Sequence, residues 1–136
     1  VCYWAKQGKG AFKDGQKLPL KKEDQYNNYK IVASRSHMSD ETQAFIDAID
    51  TDKAKELISI GSSLKICLVA EGEADIYPRL GPTMEWDTGA AHAVVREADK
   101  EIYSYEQLEV NNYTCIKYNK ENLLNQWFIV DRGGKI

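Results

Sequence analysis

Histidine, cysteine and proline are scarce in these 136 residues, at two, three and three copies. The cysteines, Cys2, Cys67 and Cys115, are odd in number and far apart, and no knuckle or redox spacing links them. With His37 and His92 as the only histidines, a zinc site of mixed His and Cys ligands is not expected. Cys67 lies in an apolar run and reads as a small core hydrophobe. Unpaired thiols fit a reducing, intracellular setting. No apolar run is long enough to span a bilayer, and no signal-peptide pattern is visible. A cytoplasmic protein without a transmembrane segment is therefore expected. Charge of one sign is also lacking. The 18 Lys and Arg against 21 Asp and Glu leave a net charge of −3, which argues against a nucleic acid polymer as partner. It leaves room for a small anion held by a few local cations. The chain begins at Val1 with no Met, inside an apparent strand, which points to a fragment.

What is present is an ordinary globular mixture, 43% hydrophobic and 29% charged. The length suits one domain over 1–136, with 131–136 as a tail. Residues 1–5 read as a strand, and Gly8, Gly10 and Asp14-Gly15 fold the next stretch into a hairpin or meander reaching Leu20. Residues 21–28 form a charged loop, residues 30–33 a short strand, and Ser34-Arg35-Ser36-His37 a connection. Ser39 is a good N-cap with Asp40 and Glu41 behind it, and Ala44, Phe45, Ala48 and Ile49 give the helix an apolar face. Charged residues 50–55 end that helix, and residues 57–60 read as a buried strand. Gly61 turns the chain, Ser62 can cap a mostly buried helix over 64–70, and Gly72 stops it. Residues 74–79 alternate as a strand, with Pro78 near an end or edge. A helix from Trp86 turns Ala90, Ala91, Val94, Val95 and Ala98 inward. Residues 102–105 and 107–110 are candidates for paired strands, and residues 127–130 for a strand covered on both faces. The order predicts an α/β fold with one mixed sheet and helices packed on it.

Four positions within the run 61–91 could carry chemistry. Asp87, at a helix start, offers a hard oxygen suited to magnesium, beside backbone amides that favour phosphate. Its structural alternative is a helix cap. Lys65 lies in the first turn of an apolar helix, where the dipole does not favour it. It reads as an anion contact or as a lysine reaching to water. Ser62, three residues earlier, shares its face, so hydroxyl and ammonium can grip one anion. Arg79 ends a strand with a planar fork suited to phosphate, or pairs with Glu73 or Asp75 at a sheet edge. His37 alone reads as a surface residue, and His92, inside a helix, as structural. Tyr77, Tyr103 and Tyr105 could stack on a base, but strand tyrosines usually pack.

The strings Gly61-Ser62-Ser63-Leu64-Lys65, Gly81-Pro82-Thr83-Met84-Glu85 and Trp86-Asp87-Thr88-Gly89-Ala90-Ala91 resemble the carboxyl-terminal half of the 3'(2'),5'-bisphosphate nucleotidases. These belong to the magnesium-dependent inositol monophosphatase-like phosphatases. The likeness extends from about Cys2 to Val130 and includes Asn119-Lys120-Glu121 and Leu123-Leu124-Asn125, with Gln126 where bacterial relatives often carry Pro. It implies that Asp87 ligates Mg2+ and that Ser36, His37, Gly61, Ser62, Lys65 and Arg79 bind the nucleotide. Gly-Ala-Ala after Thr88, in place of the more usual Ala-Ala-Gly, is a mild departure. Inositol monophosphatases tend to carry Gly-Ser-Ala-Ala in place of Gly61-Ser62-Ser63-Leu64-Lys65, so Lys65 favours the nucleotidase reading.

The resemblance implies a hydrolase of sulfur metabolism that removes the 3'-phosphate of adenosine 3',5'-bisphosphate, giving AMP and phosphate. It allows peripheral association with the inner membrane. The other catalytic carboxylates belong to a Glu and an Asp-Pro-(Leu/Ile)-Asp-Gly-Thr motif in the amino-terminal half, and neither the motif nor that half is present in this chain. Catalytic residues proper are thus expected in the other half. The chain alone is expected to be inactive and to self-associate through the surface that the other half would cover. Two alternatives remain at this level: the same portion of an inositol or sugar phosphate phosphatase, and a non-enzymatic nucleotide-binding domain.

Overall fold

The computed structural model describes residues 1–20, 28–33, 38–59, 64–108 and 114–132. Strands β1 (Tyr3–Lys6), β2 (Gly10–Lys13) and β3 (Gln16–Lys17) form an antiparallel meander in that order. Its turns fall at Gly8, at φ +75°, and at Asp14-Gly15, at φ 48° and 83°. Positive φ is cheap for Gly and tolerated by Asp, so these residues set the hairpin register. The meander expected through Leu20 is present.

β4 (Asn28–Val32) and β5 (Ala54–Ile58) pair in parallel, with α1 (Asp40–Ala48) between them as the crossover. The Ser39 hydroxyl accepts from the Thr42 N–H at 3.2 Å, the expected cap. The inward face differs from the expected one. Thr42 and Ile46 are buried and Phe45 and Ile49 half-buried, whereas Ala44 and Ala48 are exposed. Alanine adds little area to a seam, and the larger Phe, Ile and Ile turned the helix toward themselves. β5 also starts earlier than the expected 57–60, and its first three residues are exposed, so it is an edge strand.

α2 (Leu64–Glu71) buries Ile66, Cys67, Val69, Ala70 and Glu71, and Gly72 follows it at φ 88°. Burial, opposed only in part by Lys13 and reinforced by Glu71, pushes the Cys67 thiol up to about 11, so it behaves as the predicted small hydrophobe. β6 (Tyr77–Arg79) follows, then α3 (Glu85–Glu97), β7 (Lys100–Ser104), the short α4 (Tyr105–Leu108) and β8 (Phe128–Arg132). β8 lies between β6 and β7, antiparallel to both. The Val32 N–H donates to Ile76 O at 2.9 Å and Ile31 bridges Ile76 in parallel, so the order reads β5-β4-β6-β8-β7. This is the mixed α/β sheet expected from the chain order.

Further expectations need correction. Ala90, expected on the inward stripe of α3, is exposed, and Thr88 takes the buried position there. Residues 107–108 continue α4 instead of pairing with β7, whose partner is β8. The chain from Asp131 is not wholly a tail: β8 runs through Arg132, and Asp131 is 1% exposed. Phe128, Ile129 and Val130 are at most 1% exposed, the doubly covered central strand expected over 127–130, although Trp127 precedes the strand and is 36% exposed. The core splits across the sheet. One cluster gathers Val69, Val95, Ile102 and Phe128 beneath α2 and α3, and the other packs Ile31, Ile46, Ile76 and Ile129 beneath α1.

Candidate functional site

The starts of α2 and α3 and the end of β6 converge on one cavity of about 530 Å³. Lys65 enters it from the first turn of α2, Arg79 from the last residue of β6, and Asp87 from the first turn of α3, with Tyr77 and Phe128 on its walls. The strand alternation explains Arg79: its neighbour Pro78 pairs with Ile129 inside the sheet, and the guanidinium leaves on the other side. Arg79 also borders a second hollow of about 360 Å³ beside Leu80 and Thr42. Ser36, His37, Gly61 and Ser62 lie outside the described residues, as do residues 21–27 of the expected charged loop.

The electrostatics are those of an anion site. Lys65 Nζ stands 5.9 Å from the centroid of the Tyr77 ring, a cation–π contact. Among the described residues neither Lys65 nor Arg79 has an ion-pair partner. Burial lowers the Lys65 pKa, and the Arg79 charge nearby adds to the shift. Both effects would be relieved by an anion between the two cations. The edge ion pair considered for Arg79 with Glu73 or Asp75 does not form: its Nη2 lies 3.4 Å from Pro82 O, and its buried Nε has no partner among the described residues. Asp75 instead accepts from the Lys30 N–H at 2.7 Å. The positive ends of two helix dipoles add to the same potential. Burial raises the Tyr77 hydroxyl pKa, and Arg79 offsets part of the rise. Tyr77, 7% exposed and edge-on to Phe128 at 6.0 Å, packs as expected of a strand tyrosine.

Asp87 is the third residue of α3, not its cap. Its Oδ2 accepts from the Met84 N–H at 2.9 Å, so one oxygen serves the helix start. Oδ1 has no partner among the described residues, and the side chain is exposed. The structural and functional readings of Asp87 are thus compatible, one oxygen each. The donor set suits a hard divalent cation as one ligand of a larger set. Among the described residues no three His, Cys, Asp or Glu side chains cluster, so Asp87 alone does not form a metal site.

Sequence reasoning missed the support beneath this helix start. Residues 83–85 run antiparallel to 123–125: Glu85 N–H donates to Leu123 O and Asn125 N–H to Thr83 O, at 2.9 and 2.8 Å. Glu85 accepts from Lys120 Nζ at 2.6 Å and from the Asn119 and Lys120 amides at 2.6 and 3.3 Å. Thr88, 1% exposed, bonds Tyr118 and Asn125, and His92 links Tyr118 to Glu101. His92 is therefore structural, as expected. The sequence carried two signals: the strings Asn119-Lys120-Glu121 and Leu123-Leu124-Asn125 within the resemblance, and Thr88 at an inward position, spaced i, i+3, i+4, i+7 with Ala91, His92 and Val95.

Comparison with known proteins gives the same direction. The model of the inositol monophosphatase family matches residues 1–124. The 3'(2'),5'-bisphosphate nucleotidases CysQ of Salmonella typhimurium and Escherichia coli K12 are each 38% identical over 133 residues, covering 96% of this chain. The chain spans about half the length of these relatives, 50% of each. Among solved structures, CysQ of Bacteroides thetaiotaomicron, described as a bacterial member of the inositol monophosphatase family, superposes with TM-score 0.82 at 41% identity. It does so over 98% of this chain and 54% of that one. Inositol monophosphatase II of Staphylococcus aureus, at TM-score 0.72 and 17% identity over 97% of this chain and 46% of that one, shares the fold. With most of its length inside the family model, a fold shared with two of the family's solved structures and a cation-lined cavity at two helix starts, this chain belongs to the inositol monophosphatase family.

Proposed function

We propose that the intact protein is a Mg2+-dependent phosphatase that removes the 3'-phosphate of adenosine 3',5'-bisphosphate, giving AMP and phosphate. The present chain supplies one wall of its site. The observation that carries the reading is the convergence of Lys65, Arg79 and Asp87 on a single cavity, the two cations without counterions among the described residues. A doubly phosphorylated nucleoside supplies the anions. Lys65 offers a point charge and Arg79 a planar fork, so the two can take separate phosphate oxygens. The free Asp87 oxygen would hold the metal together with carboxylates from the rest of the protein. Bound magnesium supplies charge neutralisation at the phosphoryl group and an acidified water. Lys65 and Arg79 orient the nucleotide so that its 3'-phosphate faces that ligand, and the apolar wall of Tyr77 and Phe128 excludes water behind it. Ser36, His37, Gly61 and Ser62 complete the nucleotide contacts in this proposal.

A substrate panel on the intact protein tests it. Adenosine 3',5'-bisphosphate should be hydrolysed with the highest kcat/KM, dependent on Mg2+, over inositol 1-phosphate and sugar monophosphates. A preference for an inositol or sugar phosphate would assign the site to the other branch of the family. Binding without turnover in the intact protein would make this a nucleotide-binding domain.

A further inference from the structure

Asn125 is 4% exposed and far in sequence from the residues it holds. Its Nδ2 lies 3.1 Å from Thr83 Oγ1, 2.9 Å from Met84 O and 3.1 Å from Thr88 Oγ1. The Met84 carbonyl can only accept, which fixes the amide with its nitrogen on that side. Among the described residues Asn125 Oδ1 is buried without a partner, so the orientation is set by what the nitrogen donates to. The three acceptors span the entry to α3 and its fourth residue. Met84 joins the two systems: its carbonyl receives Asn125, and its N–H donates to Asp87 Oδ2 at 2.9 Å. Thr88 is tied from the other side. It sits 3.1 Å from the Tyr118 hydroxyl, which bonds His92 Nδ1 at 2.8 Å, while His92 Nε2 bonds Glu101. The turn that carries Asp87 is thus held on one side by a buried amide and on the other by a chain of bonds that reaches β7.

We infer that Asn125 is a positioning residue. Acting through Met84 and Thr88, it holds the Asp87 carboxylate with one oxygen tied back and the other presented to a divalent cation. The inference rests on the reading of Asp87 as a metal ligand. A carboxylate free to rotate would pay its ordering cost on binding, and a braced one does not. Partners that orient a ligand typically change metal affinity by about 10–100-fold when removed.

The test uses the intact protein with Mn2+ as a paramagnetic probe, free Mn2+ being read by electron paramagnetic resonance. Asn125→Asp keeps the shape and replaces both donated hydrogens with oxygen facing the Met84 carbonyl. The expected result is Mn2+ affinity weakened about tenfold or more, the Mg2+ midpoint of activity raised equally, and KM at saturating metal within about twofold. Thr88→Val should weaken Mn2+ binding in the same direction, and Thr88→Ser should restore it. Unchanged Mn2+ affinity in folded Asn125→Asp overturns the inference. If that variant does not fold, the Thr88 pair decides alone: equal Mn2+ affinity in Thr88→Val and Thr88→Ser overturns it. Asp87→Asn separates the two levels. Loss of Mn2+ binding there with none in Asn125→Asp removes only the positioning role, whereas wild-type binding in Asp87→Asn removes the ligand reading itself.

Discussion

Lys65 and Arg79 stand close enough for one charge to lower the pKa of the other, and among the described residues no carboxylate separates them. Two neighbouring cations kept without counterions are costly unless a ligand uses them. In the intact protein Lys65→Ala should weaken the substrate complex by about 1.5–3 kcal/mol, the worth of a charge-assisted hydrogen bond, or about ten- to a hundredfold. Steady-state kinetics with unchanged KM and kcat would contradict the assignment. Glu101 gives a second prediction. Burial raises its pKa, but hydrogen bonds from His92 and the Ile102 amide, with the His92 and Arg96 charges, outweigh burial and leave it below the usual 4.5. A depressed carboxyl stabilises the fold above its unfolded pKa, and that stability is lost as pH falls through the folded value. Melting temperature should therefore fall more steeply below about pH 4.5 in wild type than in Glu101→Gln, and parallel profiles would contradict this. That Lys65, Arg79 and Asp87 would share one cavity was suggested in part by a local oddity, the cation at a helix start, and in part by the resemblance, since an acid at a helix start and an arginine at a strand end are ordinary by themselves. Asn125 showed no such oddity, since nothing in a sequence distinguishes a buried amide from a loop asparagine.

At the scale of elements, the meander is fastened to the helices by two glutamates. Glu71, 4% exposed, accepts from the Tyr3 hydroxyl at 2.6 Å and from Lys13 Nζ at 2.9 Å. Glu97 accepts from the Gly8 and Gly10 amides at 3.1 and 3.0 Å. Burial raises the Tyr3 hydroxyl pKa and the Glu71 bond adds to it, so Tyr3 stays a donor. Glu71→Ala should strand both partners and cost the meander about 2 kcal/mol. Amide exchange across Gly10–Lys13 should then accelerate roughly thirtyfold, while β8 stays protected. Equal acceleration in both strands would contradict a local fastening. Element types were mostly readable, because caps, glycines and apolar runs are local signals: Ser39, Gly8 and Gly72 marked true features, and the run at 127–130 did so in all but its first residue. The errors came from tertiary choices. The face of α1 was decided by what the sheet offered Phe45 and Ile46, and β7 paired with the distant β8 in preference to its sequence neighbours.

At the scale of the molecule, the described surface is incompletely covered. Trp86 is 69% exposed, and Leu123 and Leu124, joined to its turn by the Met84–Leu124 bridge, are 40% and 43% exposed. Residues 54–56 of the edge strand β5 are all exposed as well. Exposed apolar groups and an open strand edge each favour association. The isolated chain should therefore form oligomers that grow with concentration in light scattering, and a clean monomer at high concentration would contradict this. It should also lack phosphatase activity, because Asp87 by itself cannot hold paired ions about 3.5–4 Å apart. Magnesium-dependent hydrolysis at a rate comparable to an intact relative would overturn that expectation. Scale also explains what the chain alone left illegible: if the site is completed by another part of the protein, as proposed, this chain shows only its own wall.

The most direct measurement is a crystal structure of the intact protein with adenosine 3',5'-bisphosphate and a non-catalytic divalent cation. The expected density places phosphate oxygens within hydrogen-bonding distance of Lys65 Nζ and the Arg79 guanidinium, with the cation on the free oxygen of Asp87. Density for the nucleotide elsewhere, with those three side chains facing solvent, would contradict it.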